Sequence, residues 1–138
     1  MNVVERLEKV KKIDQLIDAK IAERDQLEAL AVDICSKPMD GMPFAPKGLV
    51  SRKVENAVIE IVMLEDEIAT LIDYYVDYKR EVVAALEKLP ANEYGVLHRK
   101  YIRYMTMEKI AEDMNYSVQH IRRIKKKALA ELSRIFPE

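Results

Sequence analysis

The sequence predicts an all-α protein: a long antiparallel helical hairpin, coiled-coil-like, followed by a C-terminal three-helix helix-turn-helix domain. Three observations predict it. Of 138 residues, 49% are hydrophobic and 34% charged, with only 3 Gly and 5 Pro, the composition of a folded and strongly helical chain. Apolar residues recur at alternating steps of three and four along two long segments, the period of a helix seam. Charge is also segregated. Residues 91–138 carry 10 Lys+Arg against 6 Asp+Glu, a net of +4, whereas residues 1–90 carry 13 against 18, a net of -5. Contact with a polyanion is therefore expected only at the C-terminal end, because the acidic part repels phosphate.

The first long helix is expected to start at Asn2, which can cap it with Glu5 as its capping-box partner three residues on. Its seam is Val3, Val10, Ile13, Ile17, Leu27, Ala31 and Ile34, interrupted by Arg6, Lys20 and Arg24, with Leu7, Leu16, Ile21 and Leu30 widening the stripe. The second seam is cleaner: Val54, Ala57, Ile61, Leu64, Ile68, Leu71, Tyr75, Tyr78, Val82 and Ala85 hold ten positions without a charge. A further stripe on this helix, Val58, Val62, Ile72, Val76, Val83 and Leu86, is too broad for one neighbouring helix. Part of it would face water in a lone hairpin, so self-association, at least a homodimer, is expected.

Between the two helices, residues 36–48 hold three prolines and two glycines, which forbid a continuous helix. Asp40-Gly41 suits a turn. Met39, Met42 and Phe44 are apolar enough to pack back on the hairpin or on a second subunit, and the loop reads as a structured connector or a partner-binding loop. Tyr74, Tyr75 and Tyr78 cluster late in the second helix beside Asp73 and Asp77, which suits core or interface packing better than base stacking. Leu89-Pro90 ends the helix. The expected division is a hairpin and oligomerisation region over 1–88 and a helix-turn-helix over 89–138.

Three helices are expected in the second part. The first runs from about Asn92 to Arg103 and buries Tyr94, Val96, Leu97 and Tyr101. The next opens on Thr106 as N-cap, covers Met107 to Met114, and buries Ile110, Ala111 and Met114. Ala111 is small enough for a close helix crossing. In the turn, Asn115 can adopt the left-handed conformation without being glycine. Ser117 then caps the last helix, whose inward face is Val118, Ile121, Ile124, Ala128, Leu132 and Ile135.

The outward face of that helix carries Gln119, His120, Arg122, Arg123, Lys126 and Lys127, with Lys125 on the flank. Gln119, Arg123 and Lys126 share one side at helical spacing. Gln can read adenine and Arg guanine through paired hydrogen bonds in a major groove, while lysines suit phosphates. A merely solvated helix face is the alternative. Five of the six residues from Arg122 to Lys127 are basic, and no acid follows until Glu131, which favours a polyanionic partner.

Other chemistries find little support. Cys35 is the only cysteine, so no intramolecular disulfide is possible, and a reducing, cytoplasmic setting is expected. No stretch approaches the roughly 18 apolar residues of a membrane span, and the start MNVVERLEKVKK lacks a signal peptide's apolar core. There is no glycine-rich phosphate loop, and no nucleophile lies beside a histidine in a recognisable motif. His120 and His98 are far apart with no thiolate near, so neither a metal nor any other cofactor is expected, and His98 reads as a helix-surface residue. Glu65-Asp66-Glu67 reads as the wet face of a helix. No enzymatic activity is expected.

Leu89-Pro90, the helix with Val96-Leu97, Met107-Glu-Lys-Ile-Ala111, Ser117, His120-Ile121 and the basic run into Ala128-Leu129 together resemble region 4 of sigma-70-type bacterial transcription factors. The resemblance covers about the last third of the chain. It implies that the last helix reads double-stranded DNA through Gln119, His120, Arg122 and Arg123, with Ser117 and Lys126 at the backbone. RNA polymerase is a further candidate partner. Residues 1–90 lack the aromatic-rich domain with which sigma factors bind polymerase and melt promoters. A helical hairpin with an internal Gly41-Met42-Pro43 loop ahead of a region-4-like end is similar instead to ArpU- and RinA-like late-gene activators of phages and prophages. A small terminase-type packaging subunit and a polymerase- or anti-sigma-binding module are the other readings. Solution mass separates the first, as a large ring, and partner binding without DNA binding separates the second.

Overall fold

In the computed structural model, residues 2–36 and 47–136 are described, with side chains over 2–34 and 52–136. The expected connector thus lies largely outside the described residues, as does the side chain of Cys35. The described residues are all-α: α1 (Val3–Ser36), α2 (Lys47–Leu86), α3 (Ala91–Leu97) continuing into a π-helical turn (His98–Ile102), α4 (Met107–Met114) and α5 (Val118–Ile135). None of these helices is long and apolar enough to cross a membrane.

Local chemistry sets the ends. At the start of α1 the Glu5 amide donates to Asn2 Oδ1 at 2.8 Å, and the Asn2 amide donates to Glu5 Oε2 at 3.3 Å. This is the reciprocal capping box expected from Asn2 and Glu5. The ten seam residues of α2 are all buried or half-buried, whereas its Val58, Val62, Ile72 and Val76 are exposed. One helical neighbour covers one stripe of a helix, and the second stripe stays in water.

Packing divides the described residues into two compact units, residues 1–14 with 74–138 and residues 15–73. In the second unit α1 and α2 run antiparallel, because Lys20 pairs with Glu67 at 3.2 Å and Arg24 with Glu65 at 2.8 Å. Lys20 and Arg24, two of the cations that interrupt the α1 seam, are thus half-buried arms reaching acids of α2. Ile17, Ala57 and Ile68 are buried there, while Leu16, Ile21, Leu30, Val32, Ile59 and Met63 stay exposed.

The first unit crosses Leu89-Pro90. Those residues close α2, yet the core continues beyond them. Leu7 and Val10 of α1 and Val82, Ala85 and Leu86 of α2 pack with Leu89, Leu97, Tyr101, Ile102, Ala128 and Leu132. A short three-helix unit has too little apolar surface to cover α5 on all inward sides, and the ends of the long helices supply the missing layer. Tyr78 is fixed in this unit by donating its hydroxyl to the Arg6 carbonyl at 2.7 Å. Tyr74 stacks on Tyr78 with centroids 6.1 Å apart, and the Lys9 ammonium sits over both rings. Tyr75 and Tyr78 are thus half-buried, while Tyr74 stays 45% exposed beside them.

A continuous α-helix to Arg103 is not what forms. After Leu97 the register loosens into a π turn, with the Arg103 amide donating to the His98 carbonyl at 3.0 Å. Leu97 and Ile102 are buried in one core cluster and are five residues apart, so a wider turn keeps both facing it, where an α-turn would rotate one outward. His98, expected on the surface, is half-buried with its ring tilted against Tyr94 at 5.3 Å, and burial lowers its pKa. The turn ends on Tyr104 at φ 56, a left-handed residue that glycine would occupy with less strain. The Met105 amide closes it by donating to the Arg99 carbonyl at 2.9 Å.

Candidate nucleic-acid interface

The helix-turn-helix is α4, a short turn and α5. Thr106 caps α4 by accepting from the Lys109 amide at 3.2 Å, and Ser117 caps α5 by accepting from the His120 amide at 3.1 Å. Between them Asn115 adopts φ 58 and ψ 41, the left-handed conformation expected of it. The Tyr116 amide donates to the Ala111 carbonyl at 3.0 Å, so the turn is tied to α4 before Ser117 begins α5. Val96, Ile110, Ala111, Ile121 and Ile124 form the core under this turn, with Val118, Met105, Met107 and Met114 packed around it. Ala111 permits the close crossing that a larger side chain would block.

Arg99 of the π turn ties α3 to α4. Its Nε donates to Asp113 Oδ2 at 2.7 Å and its Nη1 to the Gly95 carbonyl at 3.1 Å. The guanidinium holds the Asp113 carboxyl below its ordinary pKa. A Cβ on Gly95 would meet Arg99 Nη1 at 2.9 Å and Met114 Cε at 3.4 Å, so a larger residue there would make the end of the Arg99 side chain shift. Neither Gly95 nor Arg99 stood out in the sequence. Their pairing depends on a helix crossing that periodicity does not reveal.

Of the residues expected to touch DNA, Ser117, Gln119, His120, Arg122, Arg123, Lys126 and Lys127 are exposed, while Ile121, Ile124 and Ala128 are buried on the opposite side. Seven groups at the α5 N-terminal half thus share one solvent face. Among the described residues, Arg122, Arg123 and Lys126 carry no ion pair, so their charge is available to a ligand.

Lys125 and Lys127 sit differently. Lys125 is half-buried, with its ammonium 5.9 Å from the Tyr101 ring centroid. Burial, helped by Lys100, lowers its pKa. It leans toward the core side of α5. Lys127 is exposed, but its Nζ lies 3.9 Å from Oε1 of Glu93, a carboxylate only 2% exposed. Glu93 belongs to the first turn of α3, and its Oε2 is buried with no hydrogen-bond partner among the described residues. Burial and the neighbouring Glu131 raise the Glu93 pKa, and Lys127 opposes them. A buried acid under the basic face was not anticipated, since Glu93 reads in sequence as an ordinary first-turn acid of a helix.

Beside this face a cavity of about 350 Å³ is lined by Met107, Arg122, Lys125, Lys126 and Leu129, an apolar floor with a basic rim. Among the described residues, no cluster of three or more His, Cys, Asp or Glu side chains has the arrangement of a metal site.

The family model for sigma-70, region 4 matches residues 85–134, a little over a third of the chain. The match starts in the last turn of α2 and takes in α3, α4 and α5. Neither curated proteins nor solved structures yield a match.

Proposed function

We propose that this chain, whose residues 85–134 form a sigma-70 region 4-like helix-turn-helix, is a sequence-specific DNA-binding transcription regulator. The observation that carries the proposal is the exposed, N-capped basic face of α5. In this reading Gln119, His120, Arg122 and Arg123 meet base edges in a major groove. Ser117, Lys126 and Lys127 meet phosphates, with Lys125 at the flank. The buried stripe on the other side of α5 fixes the helix against the core, so its polar face is held toward solvent.

Residues 89–138 act as the reader and residues 1–88 as the means of self-association, a homodimer bringing two α5 helices to one site. The exposed aliphatic side chains of α2 support this. The phage or prophage setting rests on the likeness of a hairpin, its Gly41-Met42-Pro43 loop and a region-4-like end to late-gene activators. Terminase or lysis genes beside this one would bear it out. RNA polymerase is the natural second partner of a regulator built on a sigma-like unit, and co-purification from cells tests it.

Selection from a pool of randomised duplexes at low salt tests the reading itself. Enrichment of one motif is expected, with affinity falling steeply as salt rises, because bound cations displace condensed counterions. A pool that emerges unenriched contradicts it.

A further inference from the structure

Tyr116 is the one large aromatic exposed at the tip of the helix-turn-helix. It is 41% exposed, and its ring meets the His120 ring edge-to-face, with centroids 4.7 Å apart and planes at 88°. Its backbone is held from both sides. Its amide donates to Ala111 in α4, and the next residue, Ser117, caps α5 by accepting from His120's own amide.

An apolar residue just before an N-cap commonly packs inward against the fourth residue of the helix, as a hydrophobic staple. The residue at that inward place is Ile121, which is fully buried. Tyr116 lies instead against His120, the third residue, and so stays on the solvent side with the basic face. A tyrosine spent on core stability would be covered. This one stays 41% exposed and sets its ring against another exposed side chain.

We propose that Tyr116 is a positioning residue for DNA reading: its ring fixes the His120 imidazole in one orientation on the face of α5. The inference rests on the proposed reading of DNA by that face. An imidazole free to rotate loses rotamer freedom on binding, whereas one already held against an aromatic wall loses less, which favours a single hydrogen-bonding geometry. Edge-to-face contact suits this task, because the quadrupoles of the two rings favour perpendicular planes.

A double-mutant cycle on the full-length protein tests it, with the duplex enriched from the randomised pool and its single-base variants as probes. The Y116A variant is expected to bind the enriched duplex roughly 2–10-fold more weakly, the scale of one aromatic contact. It should lose preference at the same base positions as H120A, and the double variant should be no weaker than H120A alone. Y116F keeps the ring and should behave as the parent. Thermal unfolding of Y116A should match the parent, because the side chain is not part of the core. Should Y116A fold poorly, Y116L keeps apolar bulk without the aromatic wall and carries the same expectation for base preference. Additive losses for Y116A and H120A, or unchanged base preference in Y116A and Y116L, overturn the positioning role while leaving DNA reading intact. A parent protein that enriches no motif overturns the reading on which the role depends.

Discussion

Arg123 lies near the centre of the exposed arc of α5, on the same side as Gln119 and Lys126, and carries no ion pair among the described residues. Arg123→Ala should weaken the enriched duplex by about 1–3 kcal/mol and relax preference at one base position if it reads guanine. Lys126→Ala should weaken all duplexes alike and flatten the salt dependence, as loss of a phosphate contact does. Quantitative binding at several salt concentrations separates the two. Glu93 makes a different prediction. Its raised pKa means that the folded state holds a proton more tightly than the unfolded chain, whose carboxyl titrates near the ordinary 4.5. The stabilisation this brings is complete below that value and is lost as pH rises through the folded-state pKa. Glu93→Gln removes the loss. Its advantage in thermal unfolding should be absent near pH 4 and grow to about 1 kcal/mol or more at pH 7, where the parent must bury a poorly partnered acid.

At the scale of elements, the caps are the parts most fully legible in the sequence. Asn2 with Glu5, Thr106, Asn115 and Ser117 each take the conformation or accept the bond that their side chains predict. Caps are set by local hydrogen bonding, which needs no tertiary information. Ser117→Ala should cost about 1 kcal/mol in chemical or thermal unfolding, because the His120 amide loses its acceptor. The α2 seam was equally legible, since ten residues at coiled-coil spacing can bury only one stripe. The π turn was not. Nothing in His98–Ile102 forbids an α-turn, and only the demand that Leu97 and Ile102, five residues apart, face one core selects the wider register. The Arg99–Asp113 brace and the Glu93–Lys127 contact were hidden for the same reason: each joins elements whose crossing the sequence does not state. Of the basic face, the exposed cations could be read from helical spacing. The inward lean of Lys125 onto Tyr101 depends on where the π turn sets that ring.

Across the whole molecule, two properties are left over once the core is counted. One is charge, concentrated as exposed cations on α5 and acids toward the other end of the chain. The other is apolar surface that no described residue covers, Val58, Val62 and Ile72 on α2 among it. If that stripe joins two copies, Val62→Glu with Ile72→Lys should turn a dimer into a monomer in sedimentation equilibrium without lowering the helix content, because neither side chain contributes to the core. The monomer should then bind a two-half-site duplex more weakly while keeping its preference for each half-site, since loss of linkage removes avidity but no base contact.

Reading of duplex DNA by α5 requires a preference for sequence beyond the attraction of charge. It is tested most directly by titrating the full-length protein against its enriched duplex and a scrambled duplex of the same composition, over rising salt. Both affinities should fall with salt while the enriched duplex stays tighter by a factor of about 10³ or more, a margin that Arg123→Ala narrows. Equal affinity for the two duplexes at every salt concentration would contradict it, and would leave α5 as a basic surface without a reading function.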